Sequence, residues 1–277
     1  MLSLSQVAQL ESSGSGTQPL PEVLPVLTAR GIRFEAGQMA MLVGQPNSGK
    51  SMIALWYAIE ANITTFYFSA DTDKRTTRYR AAAIKTGFTF NEVKEMIGTS
   101  GQGIIDDALM EITDAGIQFS FDPQPSMEDI DLELLAYEEV YGIPPELIVI
   151  DNLLNLVNDA GDFAGLLQIL GELHALARMK DSALLILHHV NDSTSKPEYP
   201  ASRSSIRGRV SQYPEMILSI AMVPEENQMR IACVKHRHET PSPDGSNYET
   251  IFVDPTRMTF FNSRSDLSSA DKEREWA

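Results

Sequence analysis

Cysteine is nearly absent from this chain of 277 residues, with Cys233 standing alone. A single thiol has no internal partner, so no intrachain disulfide can staple the fold, and the expectation is a reducing compartment. Long hydrophobic runs are missing too. No segment approaches the ~18 consecutive apolar residues of a membrane-spanning helix. The first residues also lack the charged-then-apolar order of an export signal. These absences point to a soluble, intracellular chain with no membrane partner. Positive charge is scarce: 22 Lys and Arg against 38 Asp and Glu leave a net charge of −16. Phosphate neutralisation needs clustered cations, so broad adhesion to DNA or anionic lipid is excluded, and any nucleic-acid contact must be local.

What is present is a core and one motif. Apolar residues make up 43% of the chain, enough for one large domain. The stretch MAMLVGQPNSGKSMIALWYA, residues 39–58, runs from an apolar strand into an apolar helix through the pattern G-x-x-x-x-G-K-S. Gly44 and Gly49 let the backbone curl so that N–H groups point inward, and the helix N-terminus adds its dipole to the same concavity. Gly44, Asn47, Ser48, Gly49, Lys50 and Ser51 thus form a candidate cradle for the phosphates of ATP. Lys50 reaches the outer phosphates, and the Ser51 hydroxyl supplies one ligand to Mg²⁺. The alternative is an ordinary Gly-rich turn. Chance would produce the pattern in about one chain of this length in a hundred.

Along the chain, residues 1–22 read as a short apolar helix on a Ser/Gly/Pro linker, a flexible arm. TTFYFS (64–69) is a strand with Asp71 at its tip, and residues 72–86 form a basic helix that is either a solvated face or a phosphate contact. Residues 88–113 read as helical and amphipathic, and Ile117–Phe121 as a third strand. An acidic helix over 127–140 follows. Leu147–Ile150 is a continuous apolar run ending at Asp151, which implies a strand buried on both faces. Phe163–Met179 has helical apolar spacing, with His174 expected on the surface. Ala183–Leu187 is a strand ending in His188-His189. Residues 191–213 are a long polar loop carrying Lys196, Arg203, Arg207 and Arg209, and a loop of that length is functional or disordered. Two strands (216–222, 229–234), the segment Lys235-His236-Arg237-His238 and a terminal hairpin within 248–261 complete an α/β domain over 23–262. A polar tail follows at 263–277.

Ligands in α/β sheets sit outside the carboxyl ends of the strands. Asp151, expected one sheet position from the phosphate loop, is the candidate carboxylate for a Mg²⁺-bound water, the alternative being a helix N-cap. Asp71 is a candidate to orient the attacking water if its strand neighbours the loop, and otherwise a turn aspartate. His189 is a candidate sensor of the γ-phosphate, with His188 on the opposite face by strand alternation.

GIRFEAGQMAMLVGQPNSGKS, FSAD (68–71), QFSFDPQPSMEDI (118–130), LIVIDNLLNL (147–156), ILHHVND (186–192), SIRGR (205–209) and KHR (235–237) occur in an order and spacing that resemble the RecA-like ATPase domain of DnaB-type replicative helicases. The resemblance spans roughly residues 30–240. It implies a RecA-like P-loop NTPase core with a mainly parallel sheet flanked by helices and a C-terminal β-hairpin. It also implies a hexameric ring with ATP between subunits and DNA, single-stranded or forked, in its channel. Lys235 and Arg237 would be lysine and arginine fingers acting in trans, and Lys196, Arg203, Arg207 and Arg209 would line the channel. Two departures stand out. Asp71 occupies the place of a catalytic glutamate, and His189 that of a glutamine. The family's N-terminal primase-interacting domain has no counterpart, which suggests a phage-encoded or accessory protein in a bacterial cell.

The leading expectation is therefore a ring-forming ATP-dependent DNA translocase or helicase. A Mg²⁺-dependent nuclease using Asp71, Asp73, Asp151 and His189 is one alternative. A nonhydrolytic, ATP-gated DNA assembly protein is another. A P-loop kinase would leave the basic loop unexplained.

Overall fold

The structure is a computed structural model that describes residues 3, 5–6, 19–156, 163–191 and 197–275. The apolar helix expected in the arm and Lys196 of the basic loop lie outside the described residues. Nine strands form one sheet: β1 (Met39–Gly44), β2 (Thr65–Ser69), β3 (Ile117–Ser120), β4 (Leu147–Asp151), β5 (Ala183–His189), β6 (Met216–Val223), β7 (Gln228–His236), β8 (Glu249–Asp254) and β9 (Thr259–Phe261). Their order is β3-β2-β4-β5-β1-β6-β7-β8-β9. The run from β3 to β6 is parallel, and β6 to β9 pair antiparallel.

The continuous apolar runs explain this arrangement, because β1 and β4 are buried at every residue and need cover on both faces. Side chains alternate between faces at each step of a strand. Ala40 and Leu42 of β1 accordingly join one core with Ala54, Leu55 and Ala58 of helix α2 (Lys50–Ala61). Met39, Met41 and Val43 join the opposite core with Leu166, Leu170 and Leu173 of α7 (Phe163–Lys180). The remaining helices are α1 (Pro25–Thr28), α3 (Lys74–Thr86), α4 (Phe90–Met96), α5 (Gln102–Asp114), α6 (Met127–Tyr141) and α8 (Arg264–Glu275). No helix among the described residues is long and apolar enough to cross a membrane.

Four details differ from the sequence reading. The helical stretch at 88–113 is two helices, interrupted near Gly98, whose φ of +81° lies in the left-handed region that favours glycine. The polar segment after 263 is helical, with the Arg264 guanidinium 5.5 Å from the Phe252 ring. His174 is not a free surface residue, for its Nε2 lies 3.0 Å from Glu215 Oε1 in a largely buried pair. Asp151 is not one sheet position from the phosphate loop, since β5 lies between β4 and β1. That insertion depends on where the long β4–α7–β5 crossover returns, which local pattern does not encode.

Candidate functional site

The carboxyl ends of β1, β4 and β5 come together on one edge of the sheet, with Gly44 paired in register with His189. Above them opens a cleft of about 510 Å³, lined by Asn47, Ser48, Gly49, Lys50 and Ser51 together with Asp71, Asp151 and His189. Sequence reasoning had gathered these residues from four separate segments. Gly44 underlies the loop: a Cβ there would strike the Ser48 hydroxyl and stand 2.9 Å from the Ile220 carbonyl oxygen. Gly49 caps α2 at φ +85°, and a Cβ there would come within 2.8 Å of the methyl carbons of Met222 and Met229. Gly44→Ala is therefore expected to destabilise the fold by about 1–3 kcal/mol, because a backbone carbonyl cannot swing aside as a flexible side chain does. A thermal melt of the variant, unchanged from wild type, would show that the loop had room.

The loop is built to receive an anion. The Ser48 hydroxyl is buried without a hydrogen-bond partner. The Lys50 ammonium is folded onto the loop, donating to the carbonyl oxygens of Gly44 at 3.1 Å and Gln45 at 2.9 Å. Burial pushes its pKa down to about 8, with the Asp151 and Asp71 carboxylates opposing that shift. Polyphosphate placed beside this ammonium would raise its pKa again, so binding takes up a proton above about pH 8. Nucleotide affinity is thus expected to hold steady below about pH 8 and to fall by up to about tenfold per unit above it. Calorimetric titrations across this range test the point, and a flat profile would remove Lys50 from phosphate contact.

Asp151, 2% exposed, accepts hydrogen bonds from the Ser51 hydroxyl and from Tyr67 Oη, the latter at 2.9 Å. Burial nevertheless pushes its pKa up. A buried carboxylate tied to the hydroxyl at the end of the phosphate loop is a donor set suited to Mg²⁺, which favours a few hard oxygen ligands and retained waters. Asp71 reaches the cleft although β2 is three sheet positions from β1. The backbone turns over the end of β4, and the N–H groups of Ala70 and Asp71 both donate to the Asp151 carbonyl, at 2.9 and 3.2 Å.

The two histidines diverge as alternation requires. His189 lines the cleft, with Nε2 3.5 Å from the Asn152 side-chain nitrogen. His188 is fully buried, and its Nε2–H donates to the Arg207 carbonyl at 2.8 Å. Burial lowers its pKa to about 4, so the ring is neutral. Asp73, the fourth member of the nuclease set, accepts from the N–H groups of Arg75 and Thr76 as the N-cap of α3 and does not line the cleft. Among the described residues no group of three or more His, Cys, Asp or Glu side chains is arranged to hold a metal.

Lys235, Arg237, Arg203, Arg207 and Arg209 do not line the cleft. Arg203 belongs to a short 3-10 turn (Arg203–Ser205), and Arg207 and Arg209 to the next (Arg207–Gln212). Arg237 Nη1 lies 3.3 Å from Glu215 Oε1. Conversely, the cleft includes residues that sequence reasoning did not assign to it: Arg80, Asn152 and an apolar wall of Met222, Val253 and Met258. Arg80 sits within the basic helix α3, which leaves the sheet at the same carboxyl edge. That position was the available signal.

No family model matches the chain. The Gene 65 protein of Mycobacterium phage L5 is 31% identical over 251 residues, covering 88% of this chain and 93% of that one. This chain belongs to the mycobacteriophage Gene 65 protein family. Another member, the Gene 65 protein of Mycobacterium phage D29, is 29% identical over 220 residues and is covered to 94%. The Gene 65 fold is that of solved RecA-like domains. The ATPase domain of a DnaB-like helicase superimposes with a TM-score of 0.77 at 16% identity, covering 93% of this chain and 95% of the domain. A DnaB-like replicative helicase, solved with attention to its interactions with primase, gives 0.76 at 16% identity and is covered to 66% of its length, with 94% of this chain matched. The RadB recombinase gives 0.56 at 14% identity, with 88% of this chain and all of that one matched. The RecA-like architecture implied by the sequence resemblance is thereby shown.

Proposed function

We propose that this Gene 65 family member is a ring-forming ATPase that translocates on, or unwinds, DNA in replication, recombination or repair. One observation carries the reading: a phosphate-loop lysine, a Ser51-bonded buried Asp151, Asp71 and His189 converge in a single cleft. In this reading residues 23–262 are the ATPase domain, 1–22 an arm and 263–277 a polar tail. The loop from Gly44 to Ser51, with Asn47, Ser48, Gly49 and Lys50 between, holds the phosphates of ATP. Ser51 and Asp151 would hold Mg²⁺, which when bound neutralises phosphate charge. Asp71 orients the attacking water as the γ-phosphorus to bridging-oxygen bond breaks, and Lys50 stabilises the charge that develops on the phosphate oxygens. His189 reads the presence of the γ-phosphate.

The ring is a homohexamer in the cytoplasm of an infected bacterial cell. Arg237 reaches a neighbouring subunit's cleft, and Lys196, Arg203, Arg207 and Arg209 meet the backbone of single-stranded or forked DNA in the channel. Confining cations to the channel reconciles DNA binding with the net charge of −16.

The test tracks an end-labelled forked DNA in Mg²⁺, with and without ATP, for wild type and Lys50→Ala. Intact displaced strand that requires both ATP and Lys50 is the expected result. Fragmented DNA without ATP would replace the motor reading with a nuclease. Unchanged DNA alongside ATP-dependent assembly would replace it with a nonhydrolytic mediator.

A further inference from the structure

The resemblance to DnaB-type helicases makes Lys235 a group that acts in a neighbouring subunit, but its surroundings point elsewhere. An ammonium has three N–H donors and no acceptor. Lys235 Nζ donates to the Ser211 carbonyl at 2.8 Å, to the Gln212 carbonyl at 3.2 Å and to the Pro214 carbonyl. All three donors are used within its own chain. The acceptors end the 3-10 turn of Arg207–Gln212, where carbonyl oxygens lack partners within the turn.

A strand irregularity aims the side chain there. Ile217 pairs with Lys235 while Leu218 pairs with Cys233, so the register of β6 and β7 shifts by one residue at Val234. Such bulges twist a strand and redirect its side chains. Arg237 stands two residues further on, 47% exposed and paired with Glu215. Glu215 is itself held, accepting from Met39 N–H at 3.0 Å and lying 3.0 Å from His174 Nε2. The basic segment is also fastened upstream, where His188 holds the Arg207 carbonyl beside His189 in the cleft.

We infer that Lys235 is a positioning residue: it ties the end of the basic loop to the strand end that carries Arg237, so that the two move as one body. The inference rests on the proposed ATPase reading for its functional consequence, though not for its structural one. An ammonium donating to three carbonyls in cis could not also reach a neighbour without releasing them.

The experiment measures hydrogen exchange of the 203–214 segment in nucleotide-free protein diluted to the monomer, for wild type, Lys235→Met and Lys235→Gln. DNA-stimulated ATPase of the same proteins is measured in parallel. Tenfold or faster exchange in Lys235→Met, an intermediate rate in Lys235→Gln and loss of DNA stimulation without a change in KM for ATP are expected. Should Lys235→Met fail to fold, Lys235→Gln alone carries the comparison. Wild-type exchange combined with lost turnover would overturn the tie in favour of a trans finger. Faster exchange with DNA stimulation intact would overturn the coupling between loop and Arg237. A wild type that turns over no ATP would sink the ATPase reading, while the exchange arm would still judge the tie.

Discussion

Lys50→Met is expected to reduce ATP turnover by about 10²–10³-fold while leaving the fold as stable as wild type, or more so. The loss comes from removing the buried ammonium that faces developing phosphate charge. The stability result comes from its depressed pKa. Lys50 is 7% exposed, and burial lowers its pKa from 10.5 to about 8. A lysine whose folded pKa lies below its unfolded value disfavours folding wherever it is charged in both states. The penalty is therefore complete below about pH 8, shrinks as pH rises toward 10.5 and vanishes above that. At neutral pH it amounts to roughly 3 kcal/mol, and the lost bonds to Gly44 and Gln45 offset part of it. Thermal melts should show the variant's advantage narrowing through this pH window. An inactive variant whose melting temperature collapses at pH 7 would mean that Lys50 is primarily a structural tie of the loop.

Arg237→Ala is expected to lower kcat by about 10³–10⁵, the worth of an arginine that stabilises transition-state charge in trans. The side chain is about half exposed, so its ion pair with Glu215 contributes little to stability. Glu215 keeps its other two partners when the guanidinium is removed. The decisive measurement mixes Arg237→Ala with Lys50→Ala, each inactive alone. In a head-to-tail ring each cleft faces a neighbour's surface. A random equimolar mixture would restore an intact cleft opposite an intact Arg237 at roughly a quarter of the interfaces. Turnover near that fraction supports action across subunits. A mixture as inactive as its parts would place the role of Arg237 within its own chain.

The phosphate loop was legible from residues 39–58 because everything that shapes it is local. A buried strand must end, glycines at 44 and 49 permit the turn, and the apolar helix after them presents its N-terminus to the same space. Asp151 and His189 were legible for a related reason: a continuous apolar run implies a strand buried on both faces, and a polar residue at its carboxyl end falls on the ligand edge. His174 was not legible. Its helical spacing allowed a surface position, and only the start of β6 brings Glu215 against it. Arg80 was hidden in a helix dense with cations, where nothing in the spacing separated a cleft residue from a solvated one.

By itself, then, the amino-acid sequence determined an α/β chain with one phosphate-binding turn and the carboxyl-end residues that accompany it, because turn dihedrals, strand burial and side-chain alternation act over a few neighbours. The tertiary structure alone decided the strand order that inserts β5 between Asp151's strand and the phosphate loop, and the approach of Arg80. It also decided the hub at Glu215 and the capture of Lys235 by three carbonyls. Those features arise where segments distant in the chain return to one another, and there buried polar groups must find partners that no local pattern names.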